Sequence, residues 1–201
     1  MDFFKERNLW QIYRESRVIP ISNINKYITL LVLLIAILNG ITLSTSELYE
    51  VIKSTSGSLF GVILTTLGFL VAGYAIFCTV LPLELQKQMM DAIDKETNLT
   101  YIKKFHFLFL RVFFYFVVFS GILFVINFFQ GSSGLIFKLT SKDCVFFSIN
   151  FIGYCFIISF TIFLLTELMS FIFNIFESVR SALNWEKIID DKIDDKIDDS
   201  K

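Results

Sequence analysis

The sequence predicts an all-α fold: an integral membrane four-helix bundle with cytosolic helical extensions. Three observations carry this. Apolar residues make up 55% of the 201 residues, and mean hydropathy is +0.66. The charges are confined to stretches that separate long apolar runs, and roughly 20 apolar residues suffice to cross a hydrocarbon core. A soluble domain of this size buries its core with shorter runs. Helices are the expected form because lipid offers no partner to an unpaired backbone group, and the runs are too continuous for alternating barrel strands.

The predicted spans are 27–43 ("YITLLVLLIAILNGITL"), 59–83, 105–129 and 145–173. The first is short and extends backwards if Lys26 snorkels. The last exceeds one bilayer thickness, so it tilts or projects into the cytosol. Residues 1–26 precede them, and "FFKERNLWQIYRE" there mixes aromatic, aliphatic and basic residues as an interfacial helix does. A loose amphipathic anchor is the plainer reading. A cleaved signal peptide fits poorly, because the apolar stretch starts late and lacks a small-residue cleavage site.

Between the second and third spans, 84–104 forms the main cytosolic connection. Leu85, Met89 and Ala92 or Ile93 recur at helical spacing, which predicts that the second helix continues beyond Pro82, with a bend there. The outer loops, "STSELYEVIKSTSG" and "QGSSGLIFKLTSKD", are short, and a small hairpin fits the second. Segment 175–201 reads as a cytosolic helix followed by an acidic low-complexity tail, in which Ile189, Ile193 and Ile197 repeat within "DDKI" units. A solvated, fraying helix or disorder and a docking strip for a cytosolic partner are both open.

Orientation follows from the cations. Lys5, Arg7, Arg14, Arg17 and Lys26 precede the first span. Lys87, Lys95, Lys103 and Lys104 lie in the 84–104 connection, and Arg180, Lys187, Lys192, Lys196 and Lys201 in the tail. The other two loops hold Lys53, Lys138 and Lys142. The expectation is a multi-pass cell-membrane protein with both termini cytosolic.

Chemistry has little to work with. No phosphate-binding glycine loop, zinc-protease motif or nucleophile elbow is present. Cys78, Cys144 and Cys155 form no paired motif, and His106 is the only histidine. No enzyme activity, metal or cofactor is expected. A net charge of −1 gives no electrostatic reason to expect direct nucleic-acid binding. The triplet at Asn98 matches a glycosylation site, but a cytosolic location removes its meaning.

The sharpest pattern is Gly61, Thr65, Gly68, Ala72, Ala75 and Thr79, spaced alternately by four and three so that one helix face is small throughout. Leu67, Leu70, Tyr74, Phe77 and Leu81 occupy the opposite face. The small seam suits packing inside the chain, contact between copies in a homo-oligomer, or a pore or lipid-lined passage. Two charges fall within spans, Arg111 and Glu167, each on the order of 9 Å inside its boundary at 1.5 Å per residue. Buried charges in lipid are costly unless paired, snorkelling or wet. An Arg111–Glu167 pair and independent snorkelling are both consistent with the topology. Around Glu167, Thr166, Ser170, Asn174 and Ser178 form a polar stripe at i,i+4 spacing, suited to packing, solvent or an ion path. Asn39, Asn127 and Asn150 are read as interhelical hydrogen-bonding amides.

These features point to a non-catalytic oligomeric membrane scaffold or sensor that couples a membrane event to a cytosolic partner. The alternative is a small oligomeric ion channel or pore. A transporter is disfavoured by the lack of an inverted repeat. In size, four-helix topology, cytosolic ends and the seam "GVILTTLGFLVAGYAIFCTVLP", residues 27–173 resemble the small membrane subunit of Kiwa-type bacterial antiphage defence systems. That resemblance implies an inner-membrane homo-oligomer that senses phage attack and works with a cytosolic nucleic-acid-binding effector protein. It carries over no catalytic or recognition residue.

Overall fold

The computed structural model describes the backbone of residues 8–129 and 143–198, and their side chains except at 143, 178, 181, 182 and 185–198. Among the described residues the helices are α1 (Leu9–Ser16), α2 (Asn23–Thr42), α3 (Thr45–Val80), α4 (Leu83–Asp91), α5 (Tyr101–Phe129) and α6 (Asp143–Asp198). The fold is all-α. Four stretches are long and apolar enough to cross a membrane: Asn23–Thr42, Thr45–Val80, Tyr101–Phe129 and Cys144–Glu177. The hairpin considered for the second outer loop lies outside the described residues.

Two boundaries differ from expectation. Residues read as the first outer loop are already helical, so that only Leu43 and Ser44 separate α2 from α3. The cause is local: Ser44 Oγ and its backbone N–H both donate to Glu47 Oε2, at 2.7 and 2.8 Å, and Glu47 N–H donates back to Ser44 Oγ at 3.4 Å. This reciprocal capping box starts a helix of 36 residues.

At its other end α3 stops at Val80 instead of bending through Pro82. Pro82 has no N–H to continue the ladder, and it becomes the N-cap of a new helix, α4, whose Gln86 N–H donates to Pro82 O at 3.0 Å. At the C-terminal end α6 runs as helix to Asp198.

A tight turn joins α4 to α5. Ile93 and Thr100 form an antiparallel bridge, Asp94 N–H donates to Leu99 O at 2.8 Å, and Asn98 adopts φ 56°. Asparagine tolerates that left-handed conformation better than most residues. The Asp94 carboxylate holds the turn by accepting from Thr97 Oγ1 at 2.6 Å, Lys104 Nζ at 2.9 Å and Thr97 N–H at 3.1 Å.

The described residues pack in two units. One draws from Met1–Ile19, Val71–Arg111 and Met169–Lys201, the other from Pro20–Leu70 and Val112–Leu168. The first has an aromatic core: Tyr74 stacks on Phe109 at 4.0 Å, Phe77 on Phe105 at 3.6 Å, and Phe171 lies 5.5 Å from Phe109. In the second, Phe119 meets Phe160 at 5.0 Å, and Phe60 meets Phe124 at 5.9 Å. Along α5 seven of the buried residues, Ile102, Phe105, Phe109, Val112, Phe116, Phe119 and Leu123, alternate spacings of three and four, and Phe107, Arg111 and Ser120 are buried beside them. That is the spacing of a single helix face.

Candidate functional site

On α3 the buried residues are Leu48, Ile52, Ser56, Ile63, Leu70 and Phe77. They occupy the side opposite the small-residue seam, and Leu81 just past the helix end is buried as well. Every seam member, Gly61, Thr65, Gly68, Ala72, Ala75 and Thr79, is exposed. A methyl group added at Gly61 or Gly68 would meet no atom within 4 Å. Packing inside the chain therefore uses the large-residue face, and the seam remains an open groove. Its walls follow from helical spacing: Val62, Phe69 and Ile76 on one side, Leu64 and Val71 on the other, all exposed.

The seam's polar atoms are already satisfied. Thr65 Oγ1 donates to Gly61 O at 3.0 Å, and Thr79 Oγ1 to Ile76 O at 2.8 Å. Both hydroxyls thus serve their own helix backbone, and the groove demands no polar partner from what covers it.

The two charges that fall within the apolar helices are buried inside the chain: Arg111 is 3% exposed and Glu167 4%. Arg111 Nη1 donates to the carbonyl oxygens of Ile19 at 2.6 Å and Ser16 at 3.3 Å. These carbonyls lie at and just beyond the C-terminus of α1, where backbone acceptors lack helical partners and a cation is favoured. Arg111 is thus the cap that ties the N-terminal helix to α5. Glu167 accepts from Asn25 Nδ2 at 2.8 Å, which ties the first turn of α2 to α6. Sequence periodicity misses Asn25, Ser16 and Ile19, because these contacts span 142, 95 and 92 residues.

Of the polar stripe, Thr166, Ser170 and Asn174 are partly buried, and Thr166 Oγ1 returns its proton to Phe163 O at 2.9 Å. Ser178 lies on α6, but its side chain is outside the described set. Two of the three membrane-region amides bridge helices as expected. Asn39 Nδ2 donates to Tyr154 OH at 2.7 Å, and Ser56 Oγ donates to Asn127 Oδ1 at 3.1 Å. Asn150 is buried, and its Nδ2 has no hydrogen-bond partner among the described residues. His106 Nδ1 lies 2.7 Å from Tyr74 OH, a link between α3 and α5.

Among the described residues no group of His, Cys, Asp and Glu is arranged to hold a metal ion. Buried polar contacts clamp helices within each unit, and the small-residue face of α3 stays exposed. No family model, characterised protein or solved structure matches the chain, so the site is read from its own residues.

Proposed function

We propose that this chain is a non-catalytic membrane scaffold or sensor that self-associates along the small-residue face of α3 and passes a membrane event to a cytosolic partner. One observation carries the reading: all six seam residues are exposed on a helix whose opposite face supplies its buried residues. Small residues at this spacing let a second helix approach closely, so that dispersion contacts accumulate between backbones. A second copy of the same face is the natural occupant, since small faces are self-complementary in a two-fold contact. The distribution of Lys and Arg supports cytosolic termini, which places α4 and the end of α6 where a cytosolic protein reaches them. The resemblance to the Kiwa membrane subunit supports phage attack as the event and a nucleic-acid-binding effector as the partner.

The test is disulfide cross-linking in native membranes, in a background where Cys78 and Cys144 are Ser and Cys155 is Ala. Ala72→Cys and Ala75→Cys should give a covalent dimer, while Leu34→Cys on the exposed face of α2 should not. Adding Gly68→Ile should weaken association by about tenfold, or about 1.4 kcal/mol. Cross-links at Leu34 but none at the seam would overturn the reading.

A small oligomeric channel is the second reading, favoured by the partly buried Thr166, Ser170 and Asn174 on one stripe of α6. It requires a bilayer conductance that changes with Ser170→Leu.

A further inference from the structure

Helix α1 is held by one face and presents another. Asn8 caps its start by accepting from Gln11 N–H at 2.8 Å, and Arg111 closes its end through the carbonyls of Ser16 and Ile19. Ser16 and Ile19 are buried, which fixes the inward side. Trp10, Arg14 and Arg17 follow one another at spacings of four and three on a side turned away from Ser16, and all three are exposed. Arg17 keeps helical backbone angles at the C-cap (φ −65°, ψ −19°), so it continues that stripe.

Arg14 and Arg17 are three residues apart, a spacing that puts Cβ atoms about 5–6 Å from each other on a helix. Among the described residues neither guanidinium is held in an ion pair. Glu15, the acid within α1, shares a different flank with Gln11. Two neighbouring guanidiniums can grip one phosphate, since each offers a planar fork of donors. A choline or ethanolamine head would set its own ammonium against them, whereas a head without a cation would not.

Depth follows from the same anchor. Arg111 lies six residues beyond Phe105, the predicted start of the third span, or about 9 Å at 1.5 Å per residue. An interfacial helix rests roughly 5–10 Å into the boundary between headgroups and acyl chains. Arg111 thus holds the end of α1 at that level. Trp10 and Tyr13, with ring centroids 5.5 Å apart, are the aromatic types enriched there. Leu9 and Val18 add exposed apolar surface at the two ends of the helix.

We propose that the Trp10–Arg14–Arg17 stripe binds anionic phospholipid, with both guanidiniums on the headgroup phosphate and the indole at the acyl boundary. The site lies apart from the α3 seam and does not depend on self-association. Anionic lipid then restrains α1 from outside, as Arg111 does from within.

Trp185→Phe leaves Trp10 as the only indole of the full chain. The protein is reconstituted in equal parts of dioleoyl phosphatidylcholine and dioleoyl phosphatidylglycerol, with one lipid or the other brominated on its acyl chains. Quenching of Trp10 then reports which lipid lies beside α1. Phosphatidylglycerol should be preferred with a relative association constant on the order of tenfold, as two cations at a headgroup imply. Arg14→Gln with Arg17→Gln should bring that constant to about one, while Arg14→Lys with Arg17→Lys should retain most of it. Lys87→Gln with Lys95→Gln removes the same charge from exposed positions elsewhere and should leave it unchanged. Equal quenching by the two lipids with the stripe intact would overturn the proposal. So would a preference that survives loss of both arginines, or one that falls equally with the two lysines.

Discussion

The side-chain amide of Asn25 donates to the carboxylate of Glu167 across 2.8 Å. Asn25 lies in the first turn of α2, ahead of the apolar run that marks the first span, yet it is only 5% exposed. The bond joins helices far apart in the chain. Asn25→Ala should cost about 1–3 kcal/mol, the range for removing a donor from a buried acceptor. Glu167→Gln keeps an oxygen for Asn25 and should cost less. Thermal unfolding in detergent, read by light scattering, ranks the two.

Gly40 offers a sharper steric test. A Cβ there would lie 2.9 and 3.1 Å from Phe151 ring carbons and 3.3 Å from Tyr154 Cδ1. Gly40→Ala should therefore destabilise by about 1–3 kcal/mol, as overpacking does. Gly57 is the contrast, since its added Cβ would stand 3.6 Å from Asn127 Oδ1, an ordinary contact. Gly57→Ala should be neutral or stabilising by up to about 1 kcal/mol through helix propensity. Both variants are compared by the same unfolding assay.

Arg111 anchors the end of α1 through the carbonyls of Ser16 and Ile19. Arg111→Met preserves bulk but removes the donors, and should cost about 1–3 kcal/mol while loosening α1. Trypsin should then cut at Arg14 and Arg17 faster than in the unaltered protein, well before global unfolding. An unchanged cleavage rate would show that the anchor is held elsewhere.

The α4–α5 turn should be acid-sensitive. The Thr97 hydroxyl, and after it Lys104, holds the Asp94 carboxyl below the usual carboxylate range. Because the folded value is depressed, the contribution is present above the unfolded value and is lost as pH falls through the folded one. The turn should stay ordered at neutral pH and open progressively below about pH 4. Protease accessibility of 92–100 across that range checks it, and Asp94→Asn should flatten the profile.

The spans were legible because apolar length is a strong signal, and the alternating spacing along α5 is written in its own residues. What escaped were contacts that depend on a distant partner. Nothing near Arg111 names Ile19 O, and nothing near Glu167 names Asn25. One local signal was legible and passed over: Ser44–Thr45–Ser46–Glu47 has the capping-box spacing that starts α3 fourteen residues before the expected span at Leu59. At Pro82 the helical spacing of Leu85 and Met89 was sound, but it belonged to a separate helix. For the seam, composition defined the face and could not say which way it points. Burial of Ile63, Leu70 and Phe77 decides that.

The threonines of the α3 groove return their hydroxyl protons to their own backbone. Exchanging lipid tails for a neighbouring helix along this face therefore breaks no polar contact in either direction. The balance is set by how well acyl chains fill the groove, which depends on their order, length and lateral pressure. Under the proposed self-association, a change in bilayer tension or thickness would shift that balance with no ligand required.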